Sequence, residues 1–158
     1  MCIAGWTFWG YQYNRHQLAL KWTGLQAIIN DNYGGEINFH IPRRSICTVF
    51  LGENIGYEKS GQRPAVVVSV DSSNKTSGNV CIAPLTKALN KKTDRTVKLL
   101  KSQYILYKKN YKLNYDSVVQ CEDIRIISKA RIGNIFDYVT HTDMKQIDRR
   151  LKYFLDLK

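Results

Sequence analysis

The sequence predicts an α+β domain, mainly β, in which short strands form a small barrel. A C-terminal helix follows the barrel and an aromatic, partly helical N-terminal extension precedes it. Three observations predict this. From residue 45 onward, short β-branched runs alternate with turn-rich stretches at small-barrel spacing. Near the end, Met144, Ile147, Leu151, Phe154 and Leu155 fall on one helical face, with Thr140 and Asp143 placed to cap its start. Residues 1–41 follow neither pattern, so the chain divides into an extension, 1–41, and a domain, 42–158.

The extension opens with Trp6, Phe8, Trp9, Tyr11 and Tyr13, a dense aromatic cluster. Leu18, Leu20, Trp22, Leu25, Ile28 and Ile29 then give a mostly helical apolar pattern. Gly34-Gly35 breaks it, and Pro42 marks entry to the domain. Within the domain, strands are predicted over 46–51, 65–70, 79–83, 96–100, 117–121 and 124–128. Between the second and third, 71–78 reads as a polar loop. The first connection, Gly56-Tyr57-Glu58-Lys59-Ser60-Gly61-Gln62-Arg63-Pro64, needs positive φ, which Gly56 and Gly61 permit. Pro64 suits the first position of a strand, which makes Arg63 the last loop residue, held beside a rigid element. Cys81-Ile82-Ala83-Pro84-Leu85-Thr86 puts a hydroxyl just past another strand. An arginine and a threonine at neighbouring strand ends, on a basic chain, suggest a phosphate site.

Charge narrows the partners. The 158 residues carry a formal charge of +11 with a pI near 9.6, which favours a polyanion such as nucleic acid. An anionic membrane is the competing reading, but no polybasic amphipathic helix supports it and no apolar run is long enough to span a bilayer. The first residues make a poor signal peptide, so the cytoplasm is the expected compartment. Cys2, Cys47, Cys81 and Cys121 are far apart with no CxxC pair, so neither a zinc site nor a disulfide framework is expected, and no cofactor is implied. Lys87, Lys91, Lys92, Arg95, Lys98, Lys101, Lys108, Lys109 and Lys112 crowd one stretch against Asp94 alone, interleaved with Tyr104, Tyr107, Tyr111 and Tyr115. Such a stretch neutralises phosphates and stacks unpaired bases, or is a solvated loop with scattered core tyrosines. Both readings predict salt-dependent binding to nucleic acid.

The 56–64 loop resembles the Gly-x-Glu-x-x-Gly-x-Arg-Pro signature of the MazF/PemK family of toxin endoribonucleases, and Pro84-Leu85-Thr86 is similar to that family's second motif. A third match runs from Ser117 through Gln120, Cys121, Asp123 and Arg125 to Lys129-Ala130-Arg131-Ile132-Gly133. Order and spacing agree over about 42–157. The resemblance implies an SH3-like barrel of the CcdB/MazF/PemK type, assembled as a homodimer. It implies metal-independent, sequence-specific cleavage of single-stranded RNA, chiefly mRNA, to 2′,3′-cyclic phosphate and 5′-hydroxyl ends. An antitoxin partner with an acidic, flexible segment is implied as well.

On that resemblance Arg63 and Thr86 are the catalytic pair. Arginine's planar fork matches phosphate oxygens, and a threonine hydroxyl adds a donor. Because a guanidinium hardly deprotonates, Glu58 is the better base on pKa grounds, or else it orients Arg63. Lys59, Gln62, Ser73, Asn74, Lys75, Lys87, Lys91, Lys92 and Arg125 are the expected RNA contacts, with Arg125 also open to a structural role. His16, His40 and His141 fall in no matched motif and read as surface or capping residues. The chain departs from the family at Arg44-Ser45-Ile46, where many members have Gly-Asp, at Asp123, often Gln, and in the length of its basic stretch. Those departures bear on which bases are selected more than on the chemistry. Residues 1–41 lie outside the resemblance and read either as an arm packed on the barrel or as a docking surface for a partner or a stacked base. Two other functions share the fold: a silent nucleic-acid-binding module and a CcdB-like gyrase poison.

Overall fold

A computed structural model describes residues 17, 20–31, 39–88 and 99–158. Residues 20–31 are helical (α1). The domain then runs β1 (Ser45–Phe50), β2 (Gln62–Val67), α2 (Asp71–Thr76), β3 (Asn79–Lys87), β4 (Gln103–Leu106), β5 (Ser117–Gln120), β6 (Arg125–Ser128), β7 (Ile132–Tyr138) and α3 (His141–Phe154). The aromatic cluster of the extension, His16, Lys91, Lys92 and most of the basic stretch before residue 99 lie outside the described residues.

All pairings are antiparallel, in the order β4-β5-β3-β2-β1-β7, with β6 on β3. The long strand β3 belongs to two sheets. Its first half pairs with β6, from Asn79↔Ser128 to Ile82↔Arg125, and its last three residues pair with β5, from Leu85↔Val119 to Lys87↔Ser117. Among the described residues no ladder joins β4 to β6 or β7, so the expected barrel is a seven-stranded sheet without a closing ladder.

The central strands bury both faces, which is why they read as continuous valine and isoleucine runs rather than alternating ones. On one face Ile46, Val66, Ala83, Leu85 and Val119 pack with Met144 and Ile147 of α3. On the other, Cys47, Val49, Ala65, Val67 and Ile82 pack with Ile41 and Ile127. Cys47 and Cys121 are buried thiols whose pKa burial pushes up to about 12.

Helix α3 begins as expected: the Thr140 hydroxyl accepts from the Asp143 amide at 3.1 Å. The Asp143 carboxylate also takes hydrogen bonds from the Tyr104 hydroxyl at 2.6 Å and from the Tyr111 hydroxyl, pinning the helix to β4 and to the turn after it. Two of the four interleaved tyrosines are therefore struts, while Tyr107 and Tyr115 are exposed. Burial works to raise the Asp143 pKa, but the hydroxyl donors outweigh it and hold the carboxyl below its ordinary range. A depressed folded pKa gives stability that is complete above the unfolded value of about 3.9 and is lost as pH falls through the folded value. Wild type is thus expected to exceed Asp143→Asn in urea midpoint at pH 6, with the gap closing below about pH 4. A gap independent of pH would assign the effect to packing alone.

Four expectations change. Strand β2 starts at Gln62, so Arg63 is inside a strand: it pairs with Val49, and Pro64 pairs with Thr48 on the β1 side, one residue before the β3 ladder begins at Ala65. Strand β3 continues four residues beyond 83, which brings Thr86 inside it. No strand covers residues 99–100 of the predicted 96–100 run. They precede a turn, and β4 follows at Gln103. The polar run 71–78 holds a short helix, because Asn74 inserts its side chain into the domain, donating to the carbonyls of Ile41 at 3.0 Å and Ser69 at 3.2 Å.

Candidate active site

The β2–β3 register runs Ala65↔Pro84, Val66↔Ala83, Val67↔Ile82. Continued by two positions it sets Arg63 opposite Thr86, and residues at alternate positions share a face. Both side chains line one open cleft of about 450 Å³, with Gln62, Lys87, Lys112 and Tyr115 around them. Each is half-buried.

Arg63 is held by its own loop. Its Nε and Nη2 donate to the Ser60 carbonyl at 3.1 and 2.5 Å, and Gly61, at φ 72°, makes the turn that returns that carbonyl to the guanidinium. A guanidinium has five N–H donors, so the remaining three stay available on a group already fixed in place. The Thr86 hydroxyl has no hydrogen-bond partner among the described residues, which leaves it for a ligand. Lys87 Nζ sits 3.9 Å from the centroid of the Tyr115 ring, joining a phosphate-seeking charge to an aromatic face. Tyr115 was legible only as one of the interleaved tyrosines.

Glu58 is exposed and lines a different cleft, with Lys59, Asp123 and Arg125. Lys59 Nζ meets Asp123 at 3.5 Å and Arg125 Nη1 reaches the Lys59 carbonyl at 3.4 Å, so this pair ties the loop to the β5–β6 turn. Of the two roles open to Glu58, orienting Arg63 is performed instead by the Ser60 carbonyl. Ser73 and Lys75 are exposed on α2 and line neither cleft. Asn74 is wholly buried with its amide spent on backbone carbonyls, which corrects its expected place among the RNA contacts. His40 Nε2 lies 3.2 Å from Asp71 Oδ1, and His141 is the first residue of α3; neither lines the cleft. No group of three His, Cys, Asp or Glu side chains among the described residues is arranged to hold a metal.

The model of the PemK-like, MazF-like toxin family of type II toxin–antitoxin systems matches residues 42–155. The chain belongs to this family. The endoribonuclease MazF of Staphylococcus epidermidis is 32% identical over 117 residues, 74% of this chain and 92% of that protein. Among solved structures, MazF from Deinococcus radiodurans superposes with a TM-score of 0.60 at 18% identity, covering 75% of this chain and 98% of that one. A mycobacterial endoribonuclease in complex with its cognate antitoxin gives 0.56 at 22% identity, covering 75% and 97%. These structural likenesses carry the fold alone. The family match starts at Pro42, so it does not include α1.

Proposed function

We propose that this MazF-type toxin endoribonuclease cuts single-stranded RNA in the Arg63–Thr86 cleft, without a metal. The observation that carries the reading is the guanidinium anchored on Ser60 beside an unpartnered threonine hydroxyl on the adjoining strand. Cleavage proceeds by attack of the ribose 2′-oxygen on phosphorus. The P–O5′ bond breaks, leaving a 2′,3′-cyclic phosphate and a 5′-hydroxyl, and no water is consumed. Arg63 stabilises the charge that grows on the phosphoryl oxygens, and Thr86 adds a neutral donor. The lining of the cleft contains no carboxylate or imidazole. We assign removal of the 2′-proton to Glu58 on the same loop, outside the cleft lining, and the leaving 5′-oxygen takes its proton from solvent. Gln62, Lys87, Lys112 and Tyr115 hold the strand.

In this reading the protein works in the cytoplasm as a homodimer. Its antitoxin lays an acidic, flexible segment over the same positive cleft. No helix among the described residues is long and apolar enough to cross a membrane.

The test is incubation of the protein with a long unstructured RNA in excess EDTA, with cut ends mapped by primer extension and their chemistry by end-labelling. Discrete cuts leaving cyclic phosphates are expected. Intact RNA held in a retarded complex would replace the enzyme with a silent binding module. Intact RNA with no complex would turn attention to gyrase.

A further inference from the structure

A third cleft, of about 360 Å³, lies between α1 and the β1–β2 loop. Trp22 and Leu25 line it from the helix, and Phe50, Glu53 and Gln62 from the domain, with the exposed Lys21 at its edge. The aromatic wall is firmly set. Arg131 donates through Nε and Nη2 to the carbonyls of Phe50 at 2.8 Å and Leu51 at 2.7 Å, and its guanidinium sits 4.9 Å from the centroid of the Trp22 ring. Gly52, at φ 79°, lets the indole lie against the backbone: a Cβ there would meet Trp22 Cε2 at 2.4 Å. Trp22 is thus held on the domain by a cation and by the one residue type that leaves room for it.

This cleft adjoins the candidate active site. Gln62 lines both, and Arg63 is the next residue. A strand whose phosphate rests on Arg63 passes Gln62 and presents its neighbouring base to the wall of Trp22, Leu25 and Phe50. The polar groups there are selective. The Glu53 carboxylate accepts hydrogen bonds and repels a carbonyl edge, while Gln62 offers one donor and one acceptor face. Lys21 supplies charge for the backbone of the same strand. Resting on the ribonuclease reading above, we propose that the cleft is a subsite for one unpaired nucleobase bearing an exocyclic amino group, beside the scissile phosphate. Adenine, cytosine or guanine fits and uracil is disfavoured. Three of its lining residues, Lys21, Trp22 and Leu25, come from α1, outside the span the family shares, and the rest come from within that span.

The experiment has two arms, both on the full chain. In the first, a randomised single-stranded RNA pool is cut by wild type, Leu25→Trp and Glu53→Gln, and the ends are sequenced. Wild type is expected to disfavour uracil at one position beside the cut by about tenfold, toward the low end of what a hydrogen-bonded base contact discriminates. Leu25→Trp fills the cleft, flattens that position and raises KM about tenfold with kcat kept. Glu53→Gln flattens it without filling. An unchanged profile in both variants overturns the subsite. The second arm does not depend on cleavage: Trp6 and Trp9 are changed to Phe, and Trp22 fluorescence is titrated with oligocytidylate and oligouridylate. A saturable change with the first, weaker with the second, supports the subsite even if wild type cuts no RNA, in which case only the ribonuclease reading falls. A response to an acidic peptide and none to either oligonucleotide overturns the subsite and makes the cleft a protein-docking surface.

Discussion

Arg63→Ala is expected to lower single-turnover RNA cleavage by about 10²–10³-fold, the usual consequence of deleting one preorganised donor from a site where charge develops. The magnitude follows from the way the side chain is held. Two of its donors are committed to the Ser60 carbonyl, so the group meets phosphate without first losing rotamer freedom. Lysine cannot substitute for it: a single ammonium on a flexible stem cannot keep the Ser60 contact and also fork onto two phosphoryl oxygens. Arg63→Lys is therefore expected to recover little of the rate. RNA affinity should fall much less, since Lys87, Lys112 and the basic surface bind the backbone independently. Thermal unfolding should barely move, because the half-buried Ser60 carbonyl can turn to water. A loss of rate below tenfold, in a folded variant, would take the phosphorane-stabilising role away from Arg63.

Much of this arrangement was legible in the sequence, and the exceptions have physical causes. Gly56 and Gly61 carry positive φ, as the loop demanded, and Thr140 caps α3 as its spacing with Asp143 implied. Strand ends were misplaced where proline intervened. Pro64 and Pro84 read as boundaries, yet each sits within a ladder, opposite Thr48 and Ala65 respectively. That difference matters for the site, since it turns two loop-end residues into strand neighbours. Strand β7 was not predicted at all. Gly133, Asn134 and Asp137 interrupt its alternation, and its pairing with β1 slips register twice, so no period of two survives to be read. Asn74 differs from its expected place because a polar residue in a polar run reads as solvated. Only the tertiary fold delivers the Ile41 carbonyl, 33 residues away, that makes it a plug. The sequence leaves the role of α1 open between packing and docking. Its half-buried face, Trp22, Leu25 and Ile29, follows helical spacing, but nothing local announces that Gly52 and Arg131 are the partners of Trp22.

Ile147→Ala is expected to cost about 2–5 kcal/mol, the range for truncating a fully buried isoleucine. The side chain has no exposure, and it joins α3 to the sheet face built from Ile46, Val66, Leu85 and Val119. Collapse around the gap is opposed on both sides of Ile147. Its start is fixed by Thr140, Tyr104 and Tyr111, and Asp148, one residue on from Ile147, takes a 2.6 Å hydrogen bond from Arg43 Nη2 at the entry to β1. With the helix pinned on either side of the vacancy, the cavity persists, which pushes the cost toward the upper part of the range. A small domain has about 5–15 kcal/mol in all, so one methyl-rich side chain under α3 carries a large share of it. The urea midpoint should fall sharply with the slope unchanged, and the fraction still folded should cleave RNA at the wild-type rate, because the Arg63–Thr86 cleft lies on β2 and β3 and takes no residue from α3. If instead the rate per folded molecule fell with the midpoint, α3 would be shown to set the geometry of the cleft as well as the stability of the domain.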